Sequence, residues 1–169
     1  MLAFFYYTKT YTHMNKIIKK EQFSEKVYCL EVEAPLIAHS CKAGQFIILR
    51  VDSHSERVPY TIAKADDHKG TLTLVVQEVG LSSTKLCTLN EGDYVQYIVG
   101  PLGNASEIRK FGTVVCAGGG IGIAAILPIL TALHEAGNRV ISVLAGRTKN
   151  LIIMEDDVRK GSDEVIIMT

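Results

Sequence analysis

The chain has 169 residues, with 18 Lys and Arg against 18 Asp and Glu, and 47% of it is hydrophobic. That length predicts one domain or two small ones, and the apolar share excludes intrinsic disorder as the governing state. A net charge of zero argues against nucleic-acid binding and against a polybasic membrane-surface protein, since both need a basic surplus.

The first 13 residues hold Phe4, Phe5, Tyr6, Tyr7 and Tyr11, in a chain with only five Phe and seven Tyr. Leu2 to Tyr7 has no basic flank and is too short for a signal peptide. The segment reads as a non-native or upstream-translated extension, or as a tail that docks on a partner. From Asn15 to about Arg109 the texture is β. Val27–Val32 alternates, Gln45–Val51 follows Gly44, and Tyr60–Ala63 is short. Thr71–Gln77 alternates cleanly, and Tyr94–Val99 follows the turn signal Glu91-Gly92-Asp93. Short strands between Gly, Asp and Ser turns predict a closed or sandwiched antiparallel unit. One helical stretch is predicted at Ser83–Leu89.

The texture changes after Phe111. Thr113–Ala117 is a compact apolar strand, followed at once by Gly118-Gly119-Gly120-Ile121-Gly122. A helix is predicted over Ile123–Ala136, closed by Gly137-Asn138. Pro128 fits a helix that starts near Ala124 or Ala125. Arg139–Ala145 reads as a strand, Asn150–Lys160 as a helix and Glu164–Met168 as a third strand. This alternation predicts a parallel sheet with right-handed crossovers. The boundary between the two textures falls near Ile108–Gly112.

Cys29, Cys41, Cys87 and Cys116 form no close pair, so a self-contained zinc or iron–sulfur site is not expected. They read as isolated reduced thiols in a cytosolic protein. The longest apolar stretch, Ile121–Leu133, is interrupted by Gly122, Pro128 and Thr131. It falls short of the roughly 20 residues a membrane span needs. The five histidines stand in no catalytic spacing.

Four segments carry potential chemistry. A strand, a glycine run and a helix aim backbone N–H groups and a helix N-terminus at one spot, which favours phosphate. Gly122 is one residue early for the usual dinucleotide fingerprint, and a ligand-free tight turn is the competing reading. In Arg57-Val58-Pro59-Tyr60-Thr61-Ile62, Arg57 can fork onto phosphate oxygens and Tyr60 offers a ring for stacking. Thr61 adds a hydroxyl, and the plain alternative is an edge strand with a solvated Arg. Gly80-Leu81-Ser82-Ser83-Thr84 opens a helical stretch with small hydroxyl residues, which makes a phosphate nest or simply an N-cap. Gly100–Asn104 is a rigid turn that either borders a pocket or does no more than turn the chain.

The order of these segments resembles the ferredoxin–NADP reductase-like superfamily. Arg-x-Pro-x-Thr-Ile at 57–62, Gln77-Glu78-Val79-Gly80 and Gly-Gly-Gly-Ile-Gly-Ile-Ala at 118–124 carry the resemblance. So does Ala145-Gly146-Arg147-Thr148-Lys149, followed by Glu155-Asp156. The branch it resembles holds the FAD-carrying small subunit of NADH-dependent ferredoxin–NADP reductase (a sulfide dehydrogenase subunit). The electron-transfer subunit of dihydroorotate dehydrogenase is a close relative. The branch shares the four-residue step from Arg57 to Thr61, but Ala125 stands where it usually has Pro.

The resemblance implies an antiparallel FAD-binding β-barrel over 14–109 and an incomplete parallel-sheet NAD(P)-binding α/β domain over 110–169, with 1–13 as an extension. It implies that Arg57, Pro59, Tyr60 and Thr61 hold FAD, with Thr61 catalytic at the flavin nitrogen that accepts hydride. It implies that Gly80, Ser82, Ser83 and Thr84 receive the FAD phosphates. Gly118, Gly119, Gly120 and Gly122, with Arg147 and Thr148, would face the nicotinamide dinucleotide. The implied activity is hydride transfer from NAD(P)H to FAD, then electron transfer to a 2Fe-2S cluster, a ferredoxin or a larger catalytic subunit of a heterodimeric cytoplasmic reductase. A truncated, non-catalytic flavin-binding or interaction module is the alternative. The family's cluster-binding cysteines have no match here, and the expectation is that the chain stops before them.

Overall fold

The computed structural model describes residues 15–169. The reading of residues 1–13 lies outside the described residues. Strands β1 (Asn15–Ser24) and β2 (Val27–Glu33) form a hairpin, followed by a short helix, α1 (Pro35–Ser40). Then come β3 (Phe46–Arg50), β4 (Val58–Thr61), β5 (Lys64–Asp66), β6 (Thr71–Gln77) and helix α2 (Leu81–Thr88). Strands β7 (Tyr94–Val95) and β8 (Tyr97–Leu102) complete the antiparallel part.

These strands make two sheets, ordered β5-β6-β2-β1-β7 and β4-β3-β8. They share one core, in which Ile17, Leu30, Ile47, Leu72, Leu74 and Val76 are fully buried. The expected antiparallel unit is thus present as two sheets packed on one core, which do not close into a single sheet. The physical reason lies at Gln96. The Tyr94–Val99 stretch predicted as one strand is split there, with its first part pairing β1 and its second part pairing β3. Gln96 N–H donates to the Val51 carbonyl at 2.9 Å, which turns the chain from one sheet to the other.

The second part begins with β9 (Thr113–Gly119), helix α3 (Gly122–Glu135) and β10 (Arg139–Ala145). A 3-10 turn at Lys149–Leu151, helix α4 (Glu155–Lys160) and β11 (Glu164–Met168) follow. The sheet is parallel, in the order β11-β10-β9. Helices cover one face, and Ile123, Leu130, Val140, Leu144 and Val158 are fully buried beneath them. The other face carries Val115, Ile166 and Met168, which are 66%, 42% and 59% exposed. A parallel sheet is ordinarily covered on both faces, so this apolar surface is unpartnered among the described residues.

The helix expected over Asn150–Lys160 is broken. Ile153 turns into the second core, 5% exposed, and Met154 adopts a left-handed φ of 53°. The helix restarts at Glu155, with Glu155, Asp156 and Asp157 in its first turn and Arg159 and Lys160 in its last. That charge order suits the helix dipole at both ends. The placement of Pro128 is also corrected. Because α3 starts at Gly122, Pro128 stands inside the helix and cannot donate to the Ala124 carbonyl.

The two parts are not independent. Ala63, 1% exposed, belongs to the second core, and Phe23, Val75 and Ile108 pack against it. Lys64 Nζ and Asp157 Oδ1 pair across the seam at 2.8 Å. Asn138 is buried where the chain passes from one part to the other. Its Oδ1 accepts from the N–H groups of Phe111 and Gly112, and its Nδ2 donates to the carbonyls of Arg109 and Leu133.

All four cysteines are free. Burial pushes the Cys29 and Cys87 thiols up to about 11, which keeps them protonated and unreactive at neutral pH. Among the described residues, no helix is long and apolar enough to cross a membrane.

Gly118 shows why glycine is required where β9 meets α3. A Cβ there would lie 2.8 Å from Ile126 Cδ1 and 3.2 Å from the backbone of Ile123. Replacing Gly118 by Val is expected to destabilise the chain by about 1–3 kcal/mol, the usual cost of overpacking, as read from urea unfolding.

Candidate functional site: two adjoining clefts

Two open clefts meet at the seam between the parts. The first, about 510 Å³, is lined from the antiparallel side by Glu56, Val58, Pro59, Tyr60, Thr61, Val75, Gln77 and Val79–Ser83. Ile121, Gly122, Ala124 and Ala125 close it from the α3 side. The second, about 670 Å³, is lined by Gly119, Gly120, Ile121, Ala145, Gly146, Arg147, Leu151 and Ile153. Ser24, Val27 and Gln77 complete it. Gln77 and Ile121 line both clefts.

Strand β4 pairs with β3, Phe46 opposite Thr61 and Ile47 opposite Tyr60. Its alternation leaves Pro59 and Thr61 exposed and Tyr60 half-buried against the first core. Burial pushes the Tyr60 hydroxyl up to about 12, so the ring stays neutral across the physiological range. Arg57 does not line the cleft wall, although its neighbours Glu56 and Val58 do. It is exposed at the rim, with its guanidinium 5.8 Å from the Tyr97 ring centroid.

The loop into α2 is held by Ser83. Its Oγ accepts from the N–H groups of Val79 and Gly80, each at 3.0 Å, and donates to the Gly80 carbonyl at 3.0 Å. The Ser83 hydroxyl is thus committed to shaping the loop. What the loop offers a ligand is the first turn of α2, where the N–H groups of Leu81, Ser82 and Ser83 have no helical acceptor. Thr84 is exposed outside the cleft, and its N–H closes the turn onto the Gly80 carbonyl at 2.8 Å. Val79 and Leu81 flank the turn at 79% and 93% exposure, an apolar lip of a kind that a large planar ligand covers.

The same helix is tied to the loop after β3 by the Lys85–Asp52 ion pair. Lys85, with the Ser55 hydroxyl and the His54 N–H, holds the Asp52 carboxyl well below the usual carboxylate range. A depressed pKa in the folded state stabilises above the unfolded value of about 4 and is lost as pH falls through the lowered value. Asp52→Asn is therefore expected to be less stable than the parent at pH 6. The gap between their melting temperatures should close toward pH 2.

The glycine run divides by function. Gly118 packs under α3 and reaches neither cleft. Gly119 and Gly120 face the second cleft, and Gly122 faces the first. Gly120 carries a φ of +53° and donates its N–H to the Ala145 carbonyl at 3.1 Å. Arg147 lines the second cleft. Thr148 does not, and its hydroxyl donates to Asn150 Oδ1. Gly146 and Gln77 lie in the quoted motifs, but the motifs alone gave them no role. For Gln77 the available signal was the alternation of β6, which puts it on the face opposite Val76.

The fold is that of a flavin-type oxidoreductase scaffold, as comparison with known proteins shows. The model for the oxidoreductase FAD-binding domain matches residues 14–106, and the chain belongs to that family. A Thermotoga maritima homolog of the dihydroorotate dehydrogenase B (NAD(+)) electron transfer subunit is 39% identical over 156 residues. The match covers 92% of this chain and 55% of that protein. The electron transfer subunit of Streptococcus pneumoniae dihydroorotate dehydrogenase B (NAD(+)) is 30% identical, over 85% of this chain and 57% of that one. The solved structure of an NADH-dependent reduced ferredoxin-NADP oxidoreductase superimposes with a TM-score of 0.87 at 39% identity, covering 92% of this chain and 56% of that chain. Phthalate dioxygenase reductase, at 20% identity and a TM-score of 0.75, shares the fold. The chain spans a little over half the length of these relatives.

Proposed function

We propose that this chain binds FAD in the first cleft and NAD(P)H in the second, and serves as an electron-transfer subunit. The observation that carries the reading is the junction of the two clefts at Gln77 and Ile121, which lets two flat rings meet. FAD, when bound, would accept a hydride from NAD(P)H and release its electrons singly.

The residues fit that cofactor. The first turn of α2 supplies unpaired N–H groups for phosphate at Leu81, Ser82 and Ser83, in the turn that Gly80 opens. Arg57 at the rim adds the charge that a pyrophosphate needs. Pro59 fixes the strand, Tyr60 presents a neutral ring for stacking, and Thr61 would offer its exposed hydroxyl to the flavin. Glu56, a carboxylate in the same cleft, suits sugar hydroxyls rather than phosphate. Thr84 supports the turn. In the second cleft, the Gly119–Gly120 loop before α3 and Arg147 suit the phosphates of a dinucleotide, with Gly118, Gly122 and Thr148 shaping the loops around them.

On this reading residues 14–109 form the flavin domain and residues 110–169 the nucleotide domain. Electrons then pass to a 2Fe-2S cluster, a ferredoxin or a larger catalytic partner in the cytoplasm. Among the described residues, no His, Cys, Asp and Glu group could hold a metal ion.

The uncovered face of the parallel sheet, with Val115, Ile166 and Met168 exposed, favours a second reading. In it the chain is a flavin-binding interaction module that does not turn over NAD(P)H. Anaerobic mixing of the FAD-loaded chain with NADH or NADPH separates the two. Bleaching of the flavin band supports the reductase, and a yellow chain that never bleaches supports the module.

A further inference from the structure

Gln77 stands where the packed seam gives way to open cleft. On β6 the residues facing the first core are Leu72, Leu74 and Val76, all 0% exposed. The opposite face points toward the second part of the molecule. There Val75 packs against the second core, and Gln77, the next residue on that face, is exposed. It lies opposite Val27, which in turn follows the β1–β2 turn opposite Ser24. These three residues form the row that the antiparallel part contributes to the second cleft. Val27 is 8% exposed and apolar, so Gln77 has the longest polar side chain in that row.

The second part contributes Ile121 to both clefts; it follows the left-handed Gly120 and is 40% exposed. The place where the clefts meet is thus lined by a carboxamide and an aliphatic side chain. A carboxamide both donates and accepts, so it can pair reciprocally with another carboxamide. An aliphatic side chain suits the face of a flat ring. We propose that Gln77 is a positioning residue that pairs with the carboxamide of the nicotinamide ring and fixes that ring at the junction, with Ile121 against its face. The proposal rests on the reading of the clefts given above and names the residue that selects the amide.

The test uses the full chain loaded with FAD and two variants, Gln77→Leu, which keeps volume, and Gln77→Ala. Flavin bleaching is followed at increasing NADH and NADPH, and with the reduced 3-acetylpyridine analogue, which has no amide N–H. The parent is expected to half-saturate at about a tenfold lower concentration of the natural coenzyme than of the analogue, the value of one or two hydrogen bonds. In both variants that ratio should fall to near one, while FAD affinity and the flavin spectrum stay as in the parent. Unchanged discrimination in the variants would overturn the proposal. So would a shifted flavin spectrum or weakened FAD retention, which would make Gln77 a flavin ligand. A chain that holds FAD but shows no response to either coenzyme would also overturn it, leaving flavin binding intact. A chain that takes up no FAD would overturn the underlying reading of the first cleft.

Discussion

Asn138→Ala is expected to lower the unfolding free energy by about 2–5 kcal/mol, which for a chain of this size moves the melting temperature down by roughly 5–15 °C. The side chain is 4% exposed and makes four hydrogen bonds, all to backbone groups. Three of its partners, at Arg109, Phe111 and Gly112, belong to the strand of chain that joins the two parts. The fourth, the Leu133 carbonyl, is at the end of α3. Truncation strips the N–H groups of Phe111 and Gly112 and the Arg109 carbonyl of this partner, while the Leu133 carbonyl keeps only the Asn138 N–H, and that loss outweighs the small apolar gain. Asn138→Asp separates the contributions. It keeps the acceptor for Phe111 and Gly112 but sets a carboxylate against the carbonyls of Arg109 and Leu133, so it should also destabilise. Differential scanning calorimetry of the three proteins reads the result, and a melting temperature unchanged in Asn138→Ala would contradict the assigned role.

Arg57→Ala is expected to weaken FAD binding by about 10- to 100-fold, the value of one to two charge-assisted hydrogen bonds. The same substitution should hardly affect the stability of the ligand-free chain. Arg57 is exposed, and its described contact is the approach to the Tyr97 ring, a contact worth about 0.5–1 kcal/mol at such a site. Arg57→Lys keeps the charge but loses the planar fork, so it should fall between the two. Isothermal titration with FAD measures all three. Equal affinities would remove Arg57 from the site.

Much of this fold was legible because it repeats locally. The alternation of Thr71–Gln77 marks β6, and the succession of β9, the glycine run, α3 and β10 marks a parallel unit. Strand β1 was lost within the general β texture, since only Ile17 of its ten residues is buried and the rest of Asn15–Ser24 is largely charged or polar. The break at Met154 was hidden for a related reason. Ile152 and Ile153 fit a helical pattern, and only the second core shows that Ile153 is pulled inward.

The segments proposed to bind phosphate were readable as motifs, because glycines and hydroxyl residues before a helix have a local physical meaning. Their division of labour was not. Ser83 is a loop clamp rather than a free donor, Gly118 is a packing contact, and Thr84 and Thr148 stand outside the clefts. Gln77 shows the limit most plainly. One polar residue at a strand end carries no periodic signal, and its importance arises only when two distant segments enclose it.

The central claim is that the cleft between β4 and the start of α2 holds FAD. Equilibrium titration of the folded chain with FAD, followed by the visible flavin band and by quenching of flavin fluorescence, tests it most directly. The account predicts saturation at one FAD per chain, with the apolar lip at Val79 and Leu81 protected from hydrogen exchange on binding. A chain that is folded by circular dichroism yet takes up no FAD at any concentration would contradict it.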